Sequence, residues 1–211
     1  MSLFQLDPQS IAERVKASGA PARIPSLGAS VLRGIVGFTL LSVLGFLPWV
    51  VGLEKRIGRA GMYVACAAVF IGLSGPLLHP LILGPGSLPR FFKLFGLAFA
   101  LYAAAWVAAY MGLKGHAGGI VGLLAGTAVM GGLFAFAFDE RRAALPSIAA
   151  LFLLNLAGYY LGNAVELALV KTHLQAAMLL YGVCYGVGFG AGLGLAFHFC
   201  QKTARARLSA R

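Results

Sequence analysis

The sequence predicts an all-α integral membrane protein, a bundle of six transmembrane helices packed through glycine ridges. Three observations carry that expectation. Of 211 residues, 60% are hydrophobic and only 11% charged, where a soluble domain carries about 25% charge. Six apolar stretches follow one another, each of the about 20 residues that a helix needs to cross a bilayer. The last of them, LLYGVCYGVGFGAGLGLAFHFC at 179–200, sets Gly182, Gly186, Gly190 and Gly194 four residues apart, with Gly188 and Gly192 beside them. On a helix that spacing is one straight ridge. In water each interior glycine would cost roughly 1 kcal/mol against alanine. In lipid the backbone must satisfy its own hydrogen bonds, so the helix is enforced and the ridge lets a neighbour approach closely.

Residues 1–30 read as a cytoplasmic segment with a short interfacial helix. Asp7-Pro8 is a helix start, with Asp at the N-cap and Pro at the first helical position. Ser10 and Glu13 offer an alternative capping box. Ile11 and Val15 share a face, and 19–25 ends the helix. The first span is expected over 31–53, with Arg33 at its start and Pro48-Trp49 near its end. The second covers 57–78, where Pro76 beside Ser74 is expected to break or kink the helix, and the Pro/Gly-rich HPLILGPGSLP follows. The third covers 91–113, with Tyr102, Trp106 and Tyr110 on one stripe. The fourth, 117–138, carries its own ridge of Gly118, Gly122 and Gly126. The fifth covers 146–170 and the sixth 174–200. The fourth and sixth are expected to pack closely through their ridges. Residues 31–200 thus form one membrane domain, and 201–211 is a basic cytoplasmic tail.

The net charge of +11 points to lipid rather than nucleic acid, since no nucleic-acid module is present and Lys and Arg favour the cytoplasmic ends of spans. With the N-terminus inside, the inner side holds twelve basic residues (Arg14, Lys16, Arg23, Arg33, Arg90, Lys93, Arg141, Arg142, Lys202, Arg205, Arg207 and Arg211). The outer side holds five, Lys55, Arg56, Arg59, Lys114 and Lys171. Both termini are therefore expected in the cytoplasm, in a multi-pass protein of a bacterial inner membrane. The first apolar run follows a polar segment and is long enough to span, which argues against a cleavable signal peptide.

A 3+3 inverted repeat is a further expectation. Gly34-Ile35-Val36-Gly37 recurs as Gly119-Ile120-Val121-Gly122, 85 positions on. At an offset of 86, Glu54-Lys55-Arg56 matches Glu140-Arg141-Arg142, Gly72 matches Gly158, and Phe95-Gly96 matches Tyr181-Gly182. Three spans per unit would invert the second copy, and the Lys55-Arg56 cluster on the outer side would be the mirror partner of the inner one.

The fifth span holds the most unusual chemistry. Asn155, Tyr159, Asn163 and Glu166, spaced 0, 4, 8 and 11, share one helical face. Polar groups in a span usually face the bundle interior or a water-filled path. They are the candidate transport-path residues. The competing reading makes Asn and Tyr interhelical glue and lets Glu166 reach the outer interface near Lys171. His79 and His198 near the inner face, with His116 and His173 near the outer, are the arrangement a two-haem cytochrome needs. The loop histidines beside lysines favour plain solvation, so no cofactor is expected, with haem or chlorin on His79 or His198 the lesser alternative. Cys66, Cys184 and Cys200 have neither CxxC nor metal spacing and read as small apolar residues. Gly72-Leu73-Ser74-Gly75 matches the GxSG around the serine of rhomboid-type intramembrane proteases, but the polar residues such enzymes carry in earlier spans are missing.

The expected function is non-enzymatic: a small channel or transporter for an ion or small polar solute, lined by the polar face of the fifth span. The alternative is a non-catalytic accessory subunit of a larger membrane complex, its glycine grooves serving as docking faces. Expected partners are the lipid bilayer and either a second copy of the chain or other membrane subunits.

Overall fold

In a computed structural model, residues 3–19 and 24–210 are described, the side chain of Arg59 apart. Arg23 and Arg211 of the basic count, and 20–23 of the connector expected to end the first helix, lie outside the described residues. Those residues form eight helices and no strand: α1 (Pro8–Ser18), α2 (Leu27–Val50), α3 (Glu54–Leu78), α4 (Ser87–Leu113), α5 (Gly115–Ala137), α6 (Ala144–Leu169), α7 (Leu174–Cys200) and α8 (Lys202–Ser209). Helices α2 to α7 are the six long enough and apolar enough to cross a membrane, by length and composition. Short 3-10 turns precede α4 (His79–Leu81) and α6 (Arg141–Ala143).

The outer surface of the bundle is apolar. On α2, Leu32, Val36, Leu40, Leu44 and Leu47 are all more than a third exposed, on the face opposite the buried Gly34, Phe38, Leu41 and Gly45. A contiguous apolar stripe of this length would drive association in water.

Two local expectations change, and one choice between alternatives is decided. The first span begins at Leu27, four residues before 31, because the Ser26 hydroxyl accepts from the Ala29 N–H at 3.2 Å and caps the helix there. Helix α3 runs through Pro76 to Leu78. Its interruption is at Gly58, whose φ of +72° only glycine adopts freely. The N-cap of α1 is Asp7, which accepts from the Ser10 N–H at 2.9 Å and the Ser10 hydroxyl at 2.7 Å, while Glu13 instead accepts from Gln9. Gly19 ends α1 in the left-handed conformation.

Helix α7 is the centre of the bundle, and its three faces meet different neighbours. A Cβ built on Gly186 would stand 2.6 Å from the Thr39 Cα, and one on Gly194 would stand 2.7 Å from the Val31 Cα, so this line lies against α2. Gly188 and Gly192 face α6, where Gly158 and Leu151 come equally near. The third face is aromatic: Phe197 meets Phe134 of α5 at 4.7 Å between ring centroids, and Phe189 meets Tyr102 of α4 at 5.6 Å. Three glycines of α5 meet α4. Gly126, Gly122 and Gly118 lie against Tyr102, Trp106 and Tyr110, running antiparallel to that stripe. The expectation that the fourth and sixth spans pack on each other through these glycines is thus corrected. Each line faces a different helix, because the large rings of α4 fill the α5 groove.

Helices α1 and α8, the first and last, meet at one end. Phe4, Leu6, Ile11 and Ala12 are buried in the protein core. Arg14 donates to the Gln5 carbonyl, Arg90 to the Gln5 side chain, and Arg207 of α8 to Gln9. The buried Gln201 ties the 79–86 connector to α7: its amide donates to the carbonyls of Leu81 at 2.8 Å and Phe197 at 2.9 Å, and accepts from the Leu83 N–H at 2.8 Å.

Candidate functional site

All six long helices contribute to one aromatic cavity of about 280 Å³. Phe46 enters from α2, Phe70 from α3, Phe99, Tyr102 and Trp106 from α4, Leu123 from α5, Tyr159 from α6, and Tyr181 and Tyr185 from α7. Apart from Phe70, which lies nearer the other end of α3, these positions lie from the middle of each helix toward the end remote from the termini. The rings brace one another. Phe70 stacks on Phe99 at 5.7 Å, Tyr181 on Tyr185 at 6.3 Å, and Phe46 meets Tyr181 edge-on at 5.3 Å. Four tyrosines among the nine lining residues put hydroxyl groups at an otherwise apolar wall.

The four residues of the polar face of α6 have different surroundings. Asn155 is fully buried, and its amide donates to the Tyr102 hydroxyl at 3.0 Å, joining α6 to a cavity residue. Its other terminal atom, Oδ1, has no partner among the described residues. Tyr159 lines the cavity itself. Asn163 and Glu166 are half-buried, one and two turns farther toward the end remote from the termini, and line no part of the cavity wall. The structure therefore brings the first two of the four to one place and leaves the last two beyond it. The Trp106 and Tyr102 of the wall lie on the aromatic stripe visible in the sequence. Phe46, Phe70, Phe99, Leu123 and Tyr185 have no sequence signal, because each is one apolar residue in an apolar span.

The histidines have local partners. His79 Nδ1 lies 2.9 Å from the Ser87 hydroxyl, and His198 Nδ1 lies 3.4 Å from the Ser30 hydroxyl. His116 and His173 are exposed at the ends of their helices. No three His, Cys, Asp or Glu side chains among the described residues come together as a metal-holding group. Ser74 of the GxSG stretch is buried and donates to the Ile71 carbonyl of its own helix at 2.8 Å, so its hydroxyl is engaged away from His198. Cys200 is buried with its sulfur 3.4 Å from the Ser147 hydroxyl, and the three cysteines are free thiols.

A second cavity, of about 560 Å³, opens at the termini end among Leu27, Glu140, Arg142, Pro146, His198, Lys202, Thr203 and Arg205. Burial pushes the Arg205 guanidinium below its ordinary value. Comparison of the chain with protein-family models, with curated proteins and with solved structures finds no match.

Proposed function

We propose that this protein is a small channel or transporter for an ion or small polar solute, and that the aromatic cavity is where the solute rests. The observation that carries the reading is the convergence of all six long helices on one cavity, with the polar face of α6 running from its wall toward the far end of the bundle. A ligand site between helices of a bundle is most often of this kind, apolar with a few placed polar groups. Tyr102, Tyr159, Tyr181 and Tyr185 supply hydroxyls for a polar solute, and Asn155 holds Tyr102. Asn163 and Glu166 would form the outer part of the path. We place the protein in an inner membrane with both termini cytoplasmic, on the excess of Lys and Arg at that end.

The 3+3 inverted repeat belongs to the same reading. A two-fold axis in the membrane plane would exchange α2 with α5 and α4 with α7. The extensive α2–α7 contact is then the counterpart of the α4–α5 contact, and the α2–α3 hairpin that of α5–α6. One pair breaks the symmetry. Gly158 of α6 has the Gly188 backbone of α7 against it, whereas a Cβ on its counterpart Gly72 of α3 would meet nothing within 4 Å. The loose α3–α4 contact is where Phe70, Phe99, Tyr102 and Trp106 leave room for the cavity. Such inequality between equivalent contacts is what alternating access requires.

The accessory-subunit reading draws less support, since its glycine grooves are filled from within the chain. The test is flux in reconstituted vesicles. Glu166→Gln alters flux or its pH dependence, and Tyr159→Ala alters solute selectivity. Flux identical to the parent at every pH in both variants overturns the path assigned to α6.

A further inference from the structure

We propose that the cleft at the termini end is a binding site for the phosphodiester headgroup of an anionic glycerophospholipid. Arg142, Lys202 and Arg205 bring three fixed positive charges to its wall, with His198 beside them, against the single carboxylate of Glu140. That carboxylate is engaged by the Thr203 hydroxyl at 2.5 Å. Arg205 is half-buried and donates through one Nη to the His198 carbonyl, which fixes its direction and leaves the rest of its planar donor fork. Among the described residues Arg205 has no carboxylate partner, and a half-buried guanidinium so placed is a site for an anion whose oxygens match its fork.

The depth of the cleft selects a lipid. It lies where α2 and α6 begin and α7 ends, the level at which six apolar helices give way to basic residues. Leu27 and Pro146 form its apolar side, and Leu27 and neighbouring Leu145 are 46% and 76% exposed, a surface for an acyl chain to descend along. Basic pockets between spans on the cytoplasmic side are the usual seat of anionic headgroups. A zwitterionic lipid would place its own ammonium group among Arg142 and Lys202, whereas a glycerol headgroup adds only hydroxyls, for which Glu140 and Thr203 are partners.

The test uses the full chain, delipidated in mild detergent, with phosphatidylglycerol, phosphatidylcholine or inorganic phosphate added, read by native mass spectrometry and by thermal unfolding. Arg142 and Lys202 are both exposed, so the double variant Arg142→Gln, Lys202→Gln leaves the packing intact. Lys114→Gln with Lys171→Gln makes the same charge change at the opposite end. Phosphatidylglycerol is expected to bind at least tenfold more tightly than phosphatidylcholine. The cleft variant should lose about 30-fold in that affinity, from the usual contribution of a basic residue near a charged lipid surface, and the opposite-end variant should keep it. Equal loss in both double variants overturns the proposal in favour of diffuse attraction. So does equal binding of the two lipids, and stabilisation by inorganic phosphate that matches phosphatidylglycerol makes the cleft a soluble-anion site instead.

Discussion

Adding one methyl group at Gly190 tests how tightly α7 and α2 are seated. An alanine Cβ there would stand 2.8 Å from the Gly34 carbonyl carbon and 2.9 Å from the Ile35 Cα, with the Gly34 oxygen nearer still. Carbon atoms settle at about 3.5–4.0 Å. All three neighbours are backbone, so no side chain can turn aside, and the two helices must separate by about 1 Å along this line. Overpacking of this kind costs about 1–3 kcal/mol. The better helix propensity of alanine returns at most roughly 1 kcal/mol, and the overpacking wins. The net cost is about 1 kcal/mol and at most about 2; at 2–4 °C per kcal/mol for a chain of this size, Gly190→Ala should melt about 2–8 °C below the parent. Gly132→Ala is the matched control: nothing lies within 4 Å of its Cβ, so only the propensity gain applies and its Tm should equal or exceed that of the parent. Thermal unfolding of both variants in one detergent reads the difference. A Gly190→Ala protein that melts with or above Gly132→Ala would show that the two helices are not held backbone to backbone.

Two further outcomes follow from buried polar groups. Tyr102→Phe strips the Asn155 amide of its partner, and should lower stability by about 0.6 and at most about 1.7 kcal/mol, the range for hydrogen bonds between membrane helices, while loosening the cavity wall enough to change solute flux. In the docked N-terminal helix, burial and then the nearby Arg90 charge push the Arg14 guanidinium down to about 10. The folded protein thus holds this proton less tightly than the unfolded chain, and stability from this group rises only as pH climbs from about 10 toward the ordinary guanidinium range. Between pH 6 and 9 it adds no slope, so the Tm difference between Arg14→Gln and the parent should be flat across that range; a difference that grows with pH there would contradict the assignment.

What the residues disclose before folding is the face each helix turns inward. Four-residue glycine spacing in α7 and α5, and the Tyr102, Trp106, Tyr110 stripe of α4, are periodic and therefore legible. Which face meets which is not periodic. The stripe and the α5 glycines are each visible alone, and only the antiparallel approach of α4 and α5 lays ring into groove. The apolar face of α1 shows the same limit: Ile11 repeats as an amphipathic residue should, but periodicity cannot separate burial in lipid from burial against the protein core, where Ile11 in fact lies. The cavity is less legible still. Tyr159 stands out because polar groups are rare in apolar spans, whereas Phe46, Phe70 and Phe99 are phenylalanines among fifteen. The basic cleft falls between these cases. Arg142, Lys202 and Arg205 are each explained singly by the charge asymmetry of membrane ends. Their meeting depends on α8 starting one residue after Cys200, at a junction where the buried Gln201 is tied to Leu81 and Leu83. Whether three charges form a scattered surface or a site is set at that junction, which no residue spacing in the sequence announces.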